Sequence, residues 1–245
     1  MNTPEYAEMF RLENFYWWFV VRRQLLEYLL KQAVPKIAMP TILDVGCGTG
    51  ANAAVLSKFG RVICTDFAPE ALSFSRRRGV NRLIRSRIEA MGVADESFDV
   101  VTALDMLEHT DDDLVAMAEL WRVTKRGGML IITVPAYGFL WSEHDEALHH
   151  RRRYAAHELR NKLTRAGFEV ERISYFITFL FFPILAMRIL QNIFKKSVHP
   201  KTSHIILPRW INSLLIGILS LERLLLKLIN LPFGVSLVCL ARKAG

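Results

Sequence analysis

One eight-residue stretch, LDVGCGTG at residues 43–50, constrains the fold of this chain more than any other feature. An apolar run leads into Asp44, and glycines then follow at positions 46, 48 and 50. Glycines in this pattern let the backbone turn tightly and approach a ligand with no Cβ in the way. A second apolar run, RVICTD, ends on Asp66, twenty residues after Gly46. An acidic residue at that distance can accept hydrogen bonds from ribose hydroxyls, so the two runs together predict a nucleotide-binding unit.

Short apolar runs alternate with longer helical stretches from Thr41 onward. TILDV, RVICTD, SFDVVTAL and GGMLIITVPA are four such runs, and GFEVERISYF and GVSLVCLARK follow near the end. This order predicts an α/β fold, a doubly wound and mostly parallel sheet. In such a sheet the ligand lies at the carboxyl ends of the strands, where the glycine run stands.

The charge of the chain points to an anionic partner. Lys and Arg number 32 against 24 Asp and Glu, a formal net charge of +8. Seven basic residues and one acidic residue fall between positions 177 and 234, so this hydrophobic segment carries +6 of that charge. Phospholipid, nucleic acid and an acidic substrate are the classes of partner that a basic protein favours.

The cysteines and the N-terminus bear on the compartment. Cys47, Cys64 and Cys239 lie in apolar runs without a CxxC pair, which predicts neither a disulfide framework nor a zinc site. The N-terminus has no basic start followed by an apolar core, so no signal peptide is expected. We therefore expect a reducing compartment.

Two motifs carry a resemblance to a known family. The D-x-G-x-G-x-G order of residues 44–50 resembles the class I methyltransferases that use S-adenosylmethionine, and not the dinucleotide dehydrogenases. The segment DESFDVVTALDMLEH, residues 95–109, resembles the broad type 11 group of that class and the ubiquinone-pathway O-methyltransferases. The resemblance covers residues 40–176. It implies a Rossmann-like methyltransferase fold with a seven-stranded sheet, and S-adenosylmethionine as cofactor.

The same resemblance implies which residues bind the cofactor. Asp44 and the loop residues Gly46, Cys47, Gly48 and Gly50 would hold its amino acid end, Asp66 its ribose and Phe67 one face of its adenine, with Asp105 also close. Many relatives hold the adenine amino group with an Asp near the end of the third strand. This chain has Arg87 there, so we expect that contact to pass to Ile88 or Glu89.

Candidate catalytic residues follow the fourth strand. Asp105, Glu108 and His109 stand at i, i+3 and i+4, which predicts one face of a helical first turn beside the acceptor. With His150 they could take the proton of an acceptor hydroxyl. Alternatively, Glu108 caps the helix and His109 only packs. Some ubiquinone-pathway and small-RNA 3′-end methyltransferases hold a divalent metal with a similar E-x-x-E-H constellation; a metal is an option here that the sequence does not favour.

The segment WSEHDEALHHRRRYAAHEL, residues 141–159, follows the fifth strand on the acceptor side. Many type 11 relatives show a similar H-x-R-R-Y, and the predicted substrate-binding residues are His149, Arg152, Arg153 and Tyr154. The alternative is a solvated loop. LDMLEH stands where adenine-N6 and amide methyltransferases carry Asn/Asp-Pro-Pro-Tyr. We therefore expect an oxygen acceptor, with carbon as the second choice.

Three segments organise the chain. Residues 1–40 hold the aromatic cluster FYWWF and predict a helical lid over the cofactor, or else a helix that packs on the sheet. Residues 41–176 and 235–245 form the methyltransferase domain. Residues 177–234 are a helical insertion between the last two strands, which this fold normally joins as a hairpin, so both ends of the insertion return to the same sheet edge.

The helices of the insertion are predicted to be amphipathic. One polar stripe contains Arg188, Gln191 and Lys195, a second contains Arg209, Arg223 and Lys227, and Leu and Ile fill the other faces. A basic stripe opposite an apolar face is typical of a helix that lies in the membrane interface, whereas a span needs about 20 apolar residues. We predict a monotopic or peripheral anchor on an anionic membrane surface, on the cytoplasmic side. A transmembrane hairpin and a homo-oligomer interface are the alternatives.

These features predict a methyltransferase that works at the membrane surface on a lipophilic or lipid-linked acceptor, preferably at oxygen. An RNA methyltransferase could use RRRGVNRLIRSR, residues 76–87, with six arginines. No aromatic residues alternate with those arginines as a base-stacking surface would require, so nucleic acid is not favoured. A non-catalytic, cofactor-binding membrane scaffold is the third alternative.

Overall fold

Apolar runs of Val, Ile and Leu form the strands of one sheet in the computed structural model, which describes residues 3–35, 37–193 and 207–245. The strands are β1 Thr41–Val45, β2 Arg61–Asp66, β3 Leu83–Arg85, β4 Phe98–Leu104, β5 Thr124–Pro135, β6 Phe168–Phe176 and β7 Ser236–Lys243. Their order across the sheet is β3-β2-β1-β4-β5-β7-β6. The first five strands pair in parallel, while β7 runs antiparallel to both β5 and β6. The predicted doubly wound, mostly parallel seven-stranded sheet is confirmed.

Helices cover both faces of this sheet. They are α1 Thr3–Leu12, α2 Trp17–Ala33, α3 Ala53–Leu56, α4 Pro69–Arg77, α5 Asp113–Val123, α6 Glu143–Ala147, α7 Ala156–Arg165, α8 Phe181–Ile193 and α9 Arg209–Leu225. Successive strand residues point to opposite faces, so Ile42 joins a core shared with α2 and α9, and Leu43 joins a core shared with α5 and α7. The strand ends therefore lie between two packed layers.

The insertion leaves and rejoins the sheet at one edge. Phe176, the last residue of β6, pairs with Ser236 of β7, as expected for two strands that would otherwise form a hairpin. Between them, α9 packs along α2. Among the described residues, no helix combines the length and the apolar character that crossing a membrane requires. Lys195, one of the predicted stripe residues, lies outside the described residues.

Several polar side chains of the insertion face the protein. The Asn212 side chain accepts a hydrogen bond from the Trp17 backbone N–H at 2.8 Å and donates one to the Phe15 carbonyl at 2.8 Å. The Ser220 hydroxyl lies 2.9 Å from the Gln24 side chain, and Arg188 is buried. Large apolar side chains of α8, α9 and the turn after α9 are exposed instead: Phe182, Ile189, Leu190, Trp210, Leu214, Leu221, Leu224, Leu225, Leu228 and Ile229. We call this set the apolar face of the insertion.

Candidate active site

The glycine loop after β1 lines one end of a cavity of about 990 Å³. Gly46 has a φ of +71°, and a Cβ on it would lie 2.5 Å from the Met106 sulfur. Gly48 has a φ of +56° and faces the Met9 methyl group. Only glycine combines this backbone with this closeness, so the loop forms a cradle that a side chain would fill. Gly50 packs on Ser75 of α4 and does not line the cavity.

The two acidic residues of the nucleotide-binding unit lie beside this loop. The Asp66 carboxylate lines the cavity and accepts hydrogen bonds from the N–H groups of Gly48 and Ala68, both at 2.9 Å. Asp44 lies behind the loop, where Thr102 donates to its Oδ1 at 2.7 Å. Its buried Oδ2 has no hydrogen-bond partner within the described part of the chain. Burial raises the pKa of Asp44 to about 7.

The other implied cofactor residues divide into two groups. Cys47 and Phe67 line the cavity, and Phe67 is 48% exposed with the Arg87 guanidinium 4.2 Å from its ring centroid. Ile88 does not line the cavity, because its side chain is buried in the core on the α5 side of the sheet. Glu89 is also absent from the cavity lining. These residues fit S-adenosylmethionine at the loop, at Asp66 and at Phe67, but not at Ile88.

Glu13, which directly follows α1, contacts the glycine loop, and sequence reasoning missed this residue. The Glu13 carboxylate accepts a hydrogen bond from the Thr49 hydroxyl of the loop and pairs with Arg78 at 2.9 Å. The Arg78 guanidinium also lies 4.3 Å from the Phe10 ring centroid. The only sequence signal is an acidic residue beside the aromatic cluster. The contact joins the segment before β1 to the glycine loop; the lid role of that segment stays a prediction.

The end of β4 differs from the predicted helical face. Asp105 has a φ of +52°, which breaks the helical path, and only Leu107–His109 form a short 3₁₀ turn. Asp105 therefore does not share a helical face with Glu108 and His109. It forms an ion pair with Arg22 of α2, which also donates to the Thr133 hydroxyl at 2.6 Å. All three predicted residues still line the cavity.

Glu108 is buried and His109 is half-buried in the cavity wall. Burial raises the pKa of Glu108 to about 8, although the charges of Arg22 and Arg153 oppose this shift. Neither carboxylate oxygen of Glu108 has a hydrogen-bond partner among the described residues. Burial, helped by the nearby His150, lowers the pKa of His109 to about 3. At neutral pH the carboxyl is therefore mostly protonated and the imidazole is neutral.

His150 is held by Asp145, a second residue that sequence reasoning did not select. The Asp145 Oδ1 lies 2.9 Å from the His150 Nδ1 and 2.8 Å from an Arg153 nitrogen. Burial alone would raise the pKa of Asp145, but these partners and the charge of Arg188 lower it to about 2. With Nδ1 engaged, Nε2 is the nitrogen of His150 that remains to accept a proton. The Ser142-x-x-Asp145 capping pattern was the available signal.

The H-x-R-R-Y segment, residues 150–154, contributes two residues to the cavity. His150 and Arg153 line it, whereas Arg152, Tyr154 and His149 do not. Tyr154 is fully buried and donates to Asp113 at 2.8 Å, and Arg152 pairs with the same carboxylate at 3.3 Å. His149 is exposed, with a φ of +58°. Two of the four predicted substrate residues thus fix the segment to α5.

Glu108, His109 and His150 also form a compact set of potential metal ligands. One ligand atom from each lies within 4.8 Å of the others, and the two rings meet edge to face with centroids 4.8 Å apart. A carboxylate and two imidazoles are a ligand set that divalent transition metals accept. Asp105, the first ligand implied by the resemblance, is not in the set because it pairs with Arg22.

The sequence of the chain is similar to those of known methyltransferases. Residues 43–132 match a family described as a methyltransferase domain. A ubiquinone biosynthesis O-methyltransferase from Xanthomonas oryzae pv. oryzae is 32% identical over 104 residues, covering 40% of this chain and 44% of the relative. A probable S-adenosylmethionine-dependent methyltransferase from Mycolicibacterium smegmatis is 31% identical over 163 residues, covering 65% and 61%. The matched part of this chain thus spans less than half the length of the ubiquinone biosynthesis O-methyltransferase.

Solved structures support the fold. A methyltransferase from Haloferax volcanii, solved with the Trm112 activator, superposes with a TM-score of 0.63 at 17% identity, covering 99% of this chain and 94% of that chain. A protein from Thermotoga maritima, described as a possible histamine N-methyltransferase, gives 0.61 at 19% identity, covering 98% and 95%. These identities establish the shared fold alone. Together with the sequence match, they show that residues 43–132 match a methyltransferase domain and that the chain has the fold of S-adenosylmethionine-dependent methyltransferases.

Proposed function

We propose that this protein transfers a methyl group from S-adenosylmethionine to an oxygen of a lipophilic or lipid-linked acceptor at a membrane surface. The observation that carries the proposal is the continuity of the cavity. It joins the glycine cradle to His150 and then to an apolar wall of Leu25, Leu26, Leu29, Ile184 and Leu215. An acceptor with an aliphatic part would fit that wall, with its reactive oxygen beside His150.

The residues have separate tasks in this reaction. S-adenosylmethionine, when bound, supplies an electrophilic methyl group; Gly46 and Gly48 would border its amino acid end and Asp66 would accept from its ribose. In the transfer the cofactor would lose its sulfur–methyl bond and leave as a neutral thioether, and His150 would take the acceptor's O–H proton on Nε2 as the oxygen bonds to the methyl carbon. Asp145 holds the imidazole through Nδ1 and stabilises its protonated form. The cavity would also align the acceptor oxygen with the methyl carbon and the sulfur of the cofactor, as an in-line displacement requires.

Labelled methyl transfer to a total lipid extract tests the proposal. We expect a labelled lipid with the wild type, and a loss of roughly 10²- to 10⁴-fold in turnover for His150→Ala with unchanged cofactor affinity. His157→Ala is the matched control, because His157 is exposed on α7. Equal turnover of the two variants, or no labelled lipid with the wild type, would contradict the proposal.

Treatment with a chelator distinguishes a general-base role of His150 from a metal-binding role. If His150 acts as a general base, we expect full activity after chelation. Loss of activity, restored by magnesium, manganese or zinc, would instead assign Glu108, His109 and His150 to a metal.

The apolar face of the insertion supports action at a membrane. It combines exposed Leu, Ile, Phe and Trp side chains with a segment that carries a net +6 in sequence. Such a surface suits the interface of an anionic bilayer, and we place it on the cytoplasmic side. The alternative is that a second copy of this chain covers the same face in a homo-oligomer.

Vesicle flotation distinguishes the membrane from the homo-oligomer. The double variant Leu221→Gln/Leu228→Gln should lose flotation with anionic vesicles, while Leu114→Gln/Val115→Gln, on exposed positions of α5, should keep it. Reversing the charge of Arg223 and Lys227 should weaken binding more at low salt, by about 1 kcal/mol per residue. Unchanged flotation of Leu221→Gln/Leu228→Gln, together with a shift of this variant from dimer to monomer, would indicate that the apolar face forms a homo-oligomer interface.

A further inference from the structure

Arg188 enters the cavity from α8, a helix that lies outside the residues matching the methyltransferase family. Its side chain is 8% exposed, whereas the next two residues, Ile189 and Leu190, are about half exposed on the apolar face. The sequence pattern grouped Arg188 with the polar stripe of an amphipathic helix. The structure turns it inward, toward the wall that holds His150 and Asp145.

The Arg188 guanidinium is poorly satisfied for a buried cation. One nitrogen donates to the Ser142 hydroxyl, and Nε has no hydrogen-bond partner in the described ranges. No Asp or Glu oxygen of those ranges forms an ion pair with it. A guanidinium offers five N–H donors, so a single neutral acceptor leaves most of its capacity unused. Burial lowers its pKa to about 10, and it remains charged at neutral pH.

Asp145 and Asp105, two of the acidic residues that line the cavity, already have other partners. Both Asp145 oxygens accept from Arg153, at 2.8 and 3.1 Å, and Oδ1 also holds His150. Asp105 is paired with Arg22. Both carboxylates thus face other arginines, and Arg188 forms an ion pair with neither of them. A ligand that carries one negative charge would pair with Arg188.

We propose that Arg188 binds an anionic group, a carboxylate or a phosphate, of the lipophilic acceptor and selects anionic amphiphiles over neutral ones. Ile184 stands one helical turn before Arg188 and lines the same apolar wall, so α8 presents an apolar and a cationic contact on one face. The aliphatic part of the acceptor lies along Ile184, its anion at Arg188, and its reactive oxygen beside His150. This inference rests on the proposed function for the identity of the ligand as a substrate.

Binding of three ten-carbon probes tests it: decanoate, decyl phosphate and decanol, each below its aggregation concentration. Trp17 and Trp18 line the cavity, so intrinsic fluorescence can report binding. We expect the wild type to bind at least one anionic probe about tenfold or more tightly than decanol. Arg188→Met, which removes the charge and keeps an unbranched side chain, should abolish this preference and leave decanol affinity within about twofold.

Two further variants control for structural effects. Arg188→Lys should restore part of the preference, because it returns a positive charge without the planar fork. Arg209→Met, which removes an exposed arginine of the same insertion, should bind like the wild type. Tighter binding of decanoate identifies a carboxylate acceptor, and tighter binding of decyl phosphate identifies a phosphate.

Two outcomes would overturn the inference: equal wild-type affinity for decanol and both anions, or equal weakening of all three probes by Arg188→Met. Failure of methyl transfer to any lipid, with the charge preference and its dependence on Arg188 intact, would refute the proposed function and leave the anion site standing. Lipid methylation that is unchanged in Arg188→Met would refute the anion site and leave the proposed function standing.

Discussion

The missing side chain at Gly46 keeps the cofactor end of the cavity open. Gly46→Ala would place a Cβ 2.5 Å from the Met106 sulfur at a φ of +71°. We expect this variant to weaken S-adenosylmethionine binding by roughly tenfold or more, and Asp66→Ala to do likewise by removing the ribose acceptor. Calorimetry measures both. Gly138→Ala is the matched control, since its Cβ would meet nothing within 4 Å; binding by both site variants within about threefold of the wild type would refute this assignment.

Glu108 gives the protein a pH-dependent stability. Burial raises its pKa from an ordinary value of 4.5 to about 8, because the ionised carboxylate is poorly solvated in the folded state. Its contribution to stability is complete below pH 4.5 and is lost as the pH rises toward 8. Each pH unit in this window costs up to about 1.4 kcal/mol. We expect the free energy of unfolding to fall more steeply between pH 5 and 8 in the wild type than in Glu108→Gln.

Denaturant titrations at several pH values check this difference. Glu89→Gln, which changes a partly exposed carboxyl, should keep the steep wild-type dependence. Parallel pH profiles of the wild type and Glu108→Gln would show that Glu108 is not protonated in the folded protein.

At the scale of residues, sequence reasoning selected Gly46 and Asp66 from local signals, the glycine spacing and the strand end. Both residues line the cavity, and their cofactor-binding role stays a prediction. Sequence reasoning failed where a role depends on contacts far along the chain. Asp145 matters through His150 and Arg153, and Arg188 through the direction in which α8 packs. A helical period shows which residues share a face, but not which face meets the protein.

At the scale of elements, Glu222 of α9 connects this helix to the segment just before α8. Its carboxylate is fully buried and accepts from the backbone N–H groups of Thr178 at 2.9 Å and Phe179 at 3.2 Å, just before α8. A sequence pattern does not reveal this role, because the partners of Glu222 lie some 44 positions away. Glu222→Leu should lower the free energy of unfolding by about 1–3 kcal/mol, since two buried donors lose their acceptor.

Glu222→Gln separates the hydrogen bonds from the charge. Its amide oxygen can still accept, so we expect a smaller loss of stability than in Glu222→Leu. Thermal or denaturant unfolding compares the two variants. A Leu variant as stable as the wild type would show that water or another group satisfies these N–H groups.

Across the whole molecule, the N-terminal helices and the insertion build one wall of the site. Leu25, Leu26 and Leu29 of α2 share a core with Leu219 and Leu226 from α9 and the turn that follows it. Sequence reasoning separated residues 1–40, 41–176 with 235–245, and 177–234 by strand order and composition, which do not reveal packing between distant segments. The proposed acceptor wall therefore requires both added segments, whereas the glycine loop and Asp66 belong to the sheet.

Replacing residues 177–234 by a short Gly/Asn turn between Phe176 and Val235 tests this division of the molecule. The β6–β7 ladder still pairs Phe176 with Ser236, so we expect a folded sheet and cofactor affinity within about threefold of the wild type. Thermal stability should fall because the apolar side of α2 loses its cover. Vesicle flotation and lipid methylation should disappear with the apolar face and the net +6 charge. Leu221→Gln/Leu228→Gln is the control that keeps α2 covered; a deletion variant that still floats, or that loses its cofactor, would show that membrane contact or cofactor binding resides elsewhere than this division assigns it.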